Sequence, residues 1–413
     1  MNARTFMKRR AFLRRAALAS AAGLAAISTH GCVWRSPVQA APNSPRLIVI
    51  LLRGAADGLD IVVPYQDPNY YTARPRIAIA KPNEENGALD LDGQFGLHPS
   101  LAPLIAQWQA GNLAFVQATG LKDTSRSHFQ AQDYLETGTA QLQENADSGW
   151  LNRLVSVLPA GNSTQATSIS NAMPLIFTGP HPVSSMAFGK AGSSQMQIDR
   201  PRIQAAFDQL YAQDERLRQV YQAGRDARDV LLSSLDRERI EASKGAPSPA
   251  QFEVSARHLA EIMTGEAATQ VAFIESGGWD SHINQRWLIQ NQLRPLGNGL
   301  SILAEELGEV YNHTAIVVMS EFGRTVAENG NNGTDHGYGN TMWLLGGAIR
   351  GKQIYGEWPG LSEGALHESR DLPITTDSRD VLTSLLSQHF SLDSSALSKV
   401  FPGHQPAKTL QLV

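Results

Sequence analysis

A doubly wound α/β sheet is the fold class predicted, on three observations: short unbroken apolar runs, helical segments alternating with them, and unusual polar residues gathered where the runs end. The runs are RLIVILLRG (46–54), NLAFVQATG (112–120), QVAFIESGG (270–278), TAIVVMSEFG (314–323) and TMWLLGG (341–347). Each is bounded by turn residues and lacks polar alternation, as expected of parallel strands covered on both faces. Between them lie the helix candidates PSLAPLIAQWQAG (99–111), SHFQAQDYLETG (127–138), a long charged segment over 201–243, and NQLRPLGNGLSILAEELGEVYN (291–312). The stretch 201–245 interrupts the strand rhythm for longer than a crossover needs, so it reads as a helical insertion or cap on a single domain spanning 41–413.

The 413 residues suffice for a large core. Lys and Arg total 35 against 39 for Asp and Glu, a formal charge of -4, so there is no basic footprint for nucleic acid. The first forty residues read as an address. KRRAFLRRAALASAAGLAAIS combines a twin arginine (Arg9, Arg10), an apolar pair (Phe12, Leu13) and an alanine-rich stretch, which resembles a twin-arginine export signal. That stretch is too short and too rich in alanine for a membrane anchor, so the mature chain is expected to have no stable span. Val38 and Ala40 supply the small residues before a cleavage point at Ala41, and a periplasmic or secreted protein is expected. Cys32, the only cysteine, lies upstream of that point; a lipid anchor there is the competing reading, but STHGC lacks the apolar residue three positions earlier.

The chemistry gathers beyond the strand ends, where ligands of α/β sheets bind. Asp57 and Asp60 follow the first run, Ser125, Arg126, Ser127 and His128 the second, Glu275, Asp280 and His282 the third, and Glu321 and Arg324 the fourth, with Asp335 and His336 completing the set. Asp280 and His282, two apart, share a face in extended backbone and could grip one ion; the plainer reading makes Asp280 or Ser281 a helix cap. Ser127 and Gln130 fit a capping box, yet a serine at a helix start beside Arg126 is also placed to meet an anion. Glu321 ends an apolar strand and must be solvated, paired or metal-bound, with Arg324 as its plain partner. AADG, holding Asp57, is also a good turn. His98, before Pro99, reads as structural. His336 is the histidine placed best to bind, with Asp335 orienting its ring.

Taken in order, LLRGAADGLDIVVP, SRSHFQAQDYLETG, GGWDSHINQ, SEFGRT and TDHGYGN resemble the exported bacterial proteins grouped as domain of unknown function 1501, over essentially the whole mature chain. That group is similar to the alkaline phosphatase and sulfatase superfamily. The resemblance implies an alkaline phosphatase-like three-layer sandwich with a mostly parallel central sheet, and metal ions with a nucleophile at its C-terminal edge. Asp57, Asp280, His282, Glu321 and His336 would then be metal ligands, Ser127 the nucleophile, and Arg126 or Arg324 the anion holder. Phe322 stands where a ligating histidine is expected, which points to one ion in place of two. Zinc, manganese or iron suit a mixed imidazole and carboxylate set, and calcium an oxygen-rich one.

Two functions follow. One is a metal-dependent hydrolase of phosphate or sulfate esters, on a small molecule or an anionic polymer, exported by the twin-arginine machinery. The other is a non-catalytic exported protein of the same fold that binds a partner or an anionic polymer. Convergence of the proposed ligands on one point favours the first.

Overall fold

Arg46–Leu52 forms the strand β1, buried along its whole length, and its residues divide between two cores. Ile48, Ile50 and Leu52 enter one apolar cluster, and Leu47, Val49 and Leu51 the other. Successive side chains point to opposite faces of a strand, so an unbroken apolar run is what a sheet covered on both sides requires. The computed structural model describes residues 43–122, 125–139, 148–161, 164–170, 172–186, 242–265 and 269–413. The export segment 1–40 with Cys32, and residues 201–241 of the expected insertion, lie outside the described residues. Gln39–Val413 forms one compact unit.

The remaining strands of the main sheet are β2 (Leu113–Gly120), β3 (Ala166–Ile169), β4 (Ser184–Met186), β5 (Val271–Ser276), β6 (Thr314–Ser320), β7 (Asn340–Leu345), β8 (Gln353–Tyr355) and β9 (Thr376–Asp377). Their order is β8-β2-β7-β6-β1-β5-β3-β4, with β9 also pairing with β2. β1 runs parallel to β5 and β6, β3 parallel to β4 and β5, and β8 and β9 parallel to β2. β7 is antiparallel to both neighbours, against the expectation for 341–347. Antiparallel neighbours need no crossover helix, and none is present between Ser320 and Asn340. The sheet is therefore mixed and mostly parallel, and the start of β7 lies at the same edge as the ends of β1, β2, β5 and β6.

Helices cover both faces. His128–Thr137 (α1), Trp150–Val157 (α2) and Ser378–Phe390 (α4) contribute to the cluster containing Leu47, as do Phe401 and Leu412. Phe252–Thr264 and Gln285–Glu306 (α3) contribute to the cluster containing Ile48. The helix expected over 99–111 opens as a 3₁₀ turn, Pro99–Leu104, and becomes α-helical only at Ile105–Gln109, because Pro103 cannot donate a backbone bond. α1 stops at Gly138, whose φ of 68° closes the helix in the left-handed region. The helix expected over 291–312 starts earlier, at Gln285. A small antiparallel sheet of Val62–Val63, Gly96–Leu97 and Leu89–Asp90 packs beside this framework. Among the described residues no helix is long and apolar enough to cross a membrane.

Candidate metal centre

Three segments meet at the sheet edge. Beyond β5, Gly277 and Gly278 turn the chain so that Trp279 is buried and Asp280 and His282 follow it. α1 begins at His128, and the loop entering β7 carries Asp335 and His336. Gly333 lets the two loops touch: a Cβ there would stand 2.2 Å from the backbone carbon and oxygen of His282.

These segments bring three imidazoles and one carboxylate to a point. His336 Nε2 lies 2.9 Å from His128 Nε2 and 3.0 Å from His282 Nε2. Asp280 Oδ1 lies 3.0, 3.4 and 3.7 Å from the Nε2 atoms of His282, His336 and His128. Among the described residues His128, Asp280 and His336 each offer a ligand atom within 4.8 Å of the others, on the scale of the roughly 3.3 Å edges of a tetrahedral set, and His282 lies against Asp280 and His336. Every opposite ring nitrogen is already engaged: His128 Nδ1 with Glu321 Oε1 at 2.8 Å, His282 Nδ1 with Asp335 Oδ1 at 3.1 Å, and His336 Nδ1 with the Arg126 carbonyl at 3.0 Å. Outward Nδ1–H bonds to acceptors fix the tautomer that leaves Nε2 as the ligand. The donor set fits a divalent cation.

The charges agree with that geometry. Burial lifts the Asp280 carboxyl, but Arg324 and the hydrogen bonds from the three histidines outweigh it and hold it far below the carboxylate range. Burial works against a charge on His128, and hydrogen bonds to Asp280 and Glu321 overcome it, pushing the ring up to about 9. Burial works against a charge on His282 as well, but its hydrogen bonds to Asp280 and Asp335 and the Asp280 charge together raise it, while burial drives His336 down. Glu321, despite burial, is lowered to about 2, chiefly by its bond from His128.

The extent of the family match decides what the chain is: the model described as "Protein of unknown function (DUF1501)" covers residues 44–401. The chain belongs to the DUF1501 family. Two crystal structures are similar to this DUF1501 chain at 10% identity, each over 86% of it and 74% of their own length. They are Ps i-CgsB, with a TM-score of 0.38, and Ps i-CgsB in complex with k-i-k-neocarrahexaose, with 0.37. No curated protein matches the chain.

Of the five expected ligands, the DUF1501 chain brings three together, Asp280, His282 and His336. Asp57 is elsewhere: it is 1% exposed, accepts from Arg74 Nη1 at 2.7 Å, from Gln285, and from the Leu59 amide at 3.1 Å, so both oxygens are spent. Glu321 is engaged elsewhere too. Its Oε1 accepts from Gly54 N, His128 Nδ1 and Gln132 Nε2, each at 2.8 Å, which makes it the support of His128. Arg324 is buried and donates to the carbonyls of Ala55 and Gly54 at 2.8 Å, to Thr334 O at 3.1 Å, and to Asp280, so its donors are spent within the protein and it neutralises Asp280. Arg126 is partly exposed at the rim and pairs with Glu368 at 2.6 Å and Asp371 at 2.8 Å.

Ser127 holds the N-cap position of α1, but its hydroxyl makes no capping bond. The capping box expected with Gln130 is replaced by Ser125, whose Oγ donates to Gln130 at 2.7 Å and accepts from the Ser127 amide at 3.2 Å. Asp335 orients the ring of His282 where His336 was expected. His98 does serve structure, its Nδ1 accepting from Ser100 N at 3.0 Å. Phe322 is a wall, with its ring centre 4.9 Å from that of His128 and 5.2 Å from that of His336. The residue of the cluster that sequence reasoning left out of its ligand set is His128, hidden in a helix start; its signal was the spacing His128, Gln132, Glu136, a polar stripe on one helical face.

A second buried network ties the ligand loops together. Gln285 Oε1 accepts from Ser281 Oγ at 2.8 Å and Thr334 Oγ1 at 2.5 Å, while its amide nitrogen donates to Asp57 and Asp60. Arg74 fills the space between those carboxylates.

Proposed function

We propose that this DUF1501 protein is a metal-dependent hydrolase of phosphate or sulfate esters, built on the alkaline phosphatase-like plan, with one ion held by His128, His282 and His336 and by Asp280. The observation that carries the reading is the convergence of three Nε2 atoms on Asp280 Oδ1 while every Nδ1 is bonded outward. An imidazole-rich set suits zinc, manganese or iron and is a poor match for calcium. Bound there, the ion would polarise an ester oxygen and stabilise charge developing in the attack. His282 and His336 keep 18% and 16% of their side chains exposed while His128 keeps 5%, so substrate approaches over the first two. Ser127 precedes His128 in the chain, and its hydroxyl, free of capping duty at a helix N-terminus, is the candidate nucleophile. Arg126 holds the anionic group by exchanging the exposed Glu368 for it.

One observation favours a second reading. Should His282 join His128, Asp280 and His336, the set would be closed, and a closed four-ligand set is the pattern of structural sites. On that reading the protein holds its ion without catalysis and binds a partner or an anionic polymer at the same edge.

The experiment is metal analysis of purified protein followed by a screen of aryl phosphates and aryl sulfates. One ion per chain and turnover abolished in His336→Ala would support the hydrolase. Metal without turnover would favour the second reading, and a folded, metal-free, inactive protein would end both. We also place the protein in the periplasm or outside the cell, on KRRAFLRR. Replacing Arg9 and Arg10 by lysine should retain it in the cytoplasm, and unaltered export would refute the route.

A further inference from the structure

One face of α1 carries a buried polar stripe of which the hydrolase reading uses only the first residue. His128, Gln132 and Glu136 recur every four residues, so they line one side of the helix, and they are 5%, 0% and 1% exposed. Three buried polar side chains in a row are tolerated only where each is bonded. Gln132 joins the other two. Its Oε1 accepts from Arg53 Nη1 at 2.8 Å, and its Nε2 donates to Glu321 Oε1 at 2.8 Å and to the Ala242 carbonyl at 2.6 Å. The amide can stand only this way round, because a guanidinium only donates and carboxylate and carbonyl oxygens only accept. Arg53 is held in turn by Glu136 at 2.9 Å and Glu275 at 2.8 Å.

The bonds have a direction. The Arg53 guanidinium polarises the Gln132 carbonyl, which strengthens the amide N–H that Gln132 gives to Glu321. Glu321, stabilised as a carboxylate, accepts the hydrogen on His128 Nδ1. We propose that Gln132 is a positioning residue: it passes the influence of Arg53 to Glu321 and so keeps the hydrogen of His128 on Nδ1, turning Nε2 toward Asp280 and His336. The consequence for an ion rests on the metal-centre reading above, whereas the hydrogen-bond chain exists without one.

Two variants separate this role from simple packing. Gln132→Met keeps the length of the side chain and removes both bonds. Gln132→Glu keeps an acceptor for Arg53 but replaces the donor facing Glu321 with an oxygen. In metal-free protein carrying ¹⁵N-labelled histidine, the Nδ1–H of His128 should give a downfield, slowly exchanging proton signal, assigned by its absence from His128→Asn. Both Gln132 variants should lose that signal to fast exchange, and zinc affinity by chelator competition should fall 10- to 100-fold, the usual cost of losing a group that supports a ligand. Unchanged signal and affinity in Gln132→Met would overturn the proposal. So would a Gln132→Glu protein that behaves as wild type, since Arg53 would then be the only partner that matters. If Gln132→Met fails to fold, Gln132→Glu decides alone. If wild-type protein takes up no zinc, the metal-centre reading fails while the proton signal still tests Gln132.

Discussion

Arg74→Met tests whether the sheet-edge carboxylates support structure in place of binding metal. Arg74 is fully buried; its guanidinium contacts Asp57 at 2.7 and 3.2 Å, Asp60 at 2.5 Å, and the carbonyls of Thr325 and Val326 at 2.9 Å. Methionine keeps most of the apolar stem and leaves two buried carboxylates supported by Gln285 and the Tyr70 hydroxyl. Removing one partner of a buried ion pair costs about 3–5 kcal/mol. Two carboxylates lose a partner here, but part of the loss is relieved by protonation, since burial already raises the Asp57 carboxyl and the Arg74 charge is the main force holding it down. A loss of about 4 kcal/mol at neutral pH is therefore expected. For the compact unit Gln39–Val413 the unfolding entropy is roughly 0.8 kcal/mol/K, which converts the loss to a fall in Tm of about 5 °C. Denaturant unfolding of both proteins measures it. Adding Asp57→Asn and Asp60→Asn to Arg74→Met should recover most of the loss, because no buried charge then remains unpaired. A loss below about 1 kcal/mol in Arg74→Met would refute the reasoning.

Two further outcomes are expected. Burial, with a smaller contribution from the Arg286 charge, lowers His98 to about 4, so between pH 6.5 and 4 the unfolded chain binds a proton that the folded chain refuses. The stability this group supplies is complete above pH 6.5 and is lost as pH falls toward 4, by up to about 3 kcal/mol; His98→Asn, which keeps a capping acceptor, should show a shallower fall in that window, and equal slopes would refute the assignment. Gly333→Ala pushes a Cβ into the His282 backbone and should destabilise by about 1–3 kcal/mol and weaken zinc binding, whereas Gly330→Ala, where a Cβ meets open space, should do neither.

How much of this was legible in the sequence depends on whether a residue's partner is local. The five apolar runs became strands because burial on both faces leaves a continuous signature, as in Leu47–Leu52. The direction of β7 carries no such signature, since an antiparallel strand with both faces covered reads the same; the clue was the helix-free connection from Glu321 to Gly339. β8 and β9 have three and two residues, too few for any period to show. At the site, Asp280, His282 and His336 were found because they flank strand ends. Asp57 and Glu321 flank strand ends equally well, and what excludes them is Arg74 in one case and His128 with Gln132 in the other. Glu321 meets His128 across 193 residues, a pairing that no local pattern encodes.

The pairing of charges around the cluster says more about it than the count of its donors does. Each buried guanidinium near the edge has its carboxylates: Arg53 with Glu136 and Glu275, Arg74 with Asp57 and Asp60, Arg324 with Asp280. Against that background, the meeting of three Nε2 atoms stands apart. Two neutral imidazoles that both direct a lone pair across 2.9 Å repel, and a third at 3.0 Å adds to it, so a proton or a cation must lie between them. Packing alone would turn the rings and relieve the contact. The Nδ1 bonds to Glu321, Asp335 and the Arg126 carbonyl prevent that turn. Supports from three separate segments therefore hold the three rings in one arrangement, whether a proton or a cation lies between the Nε2 atoms.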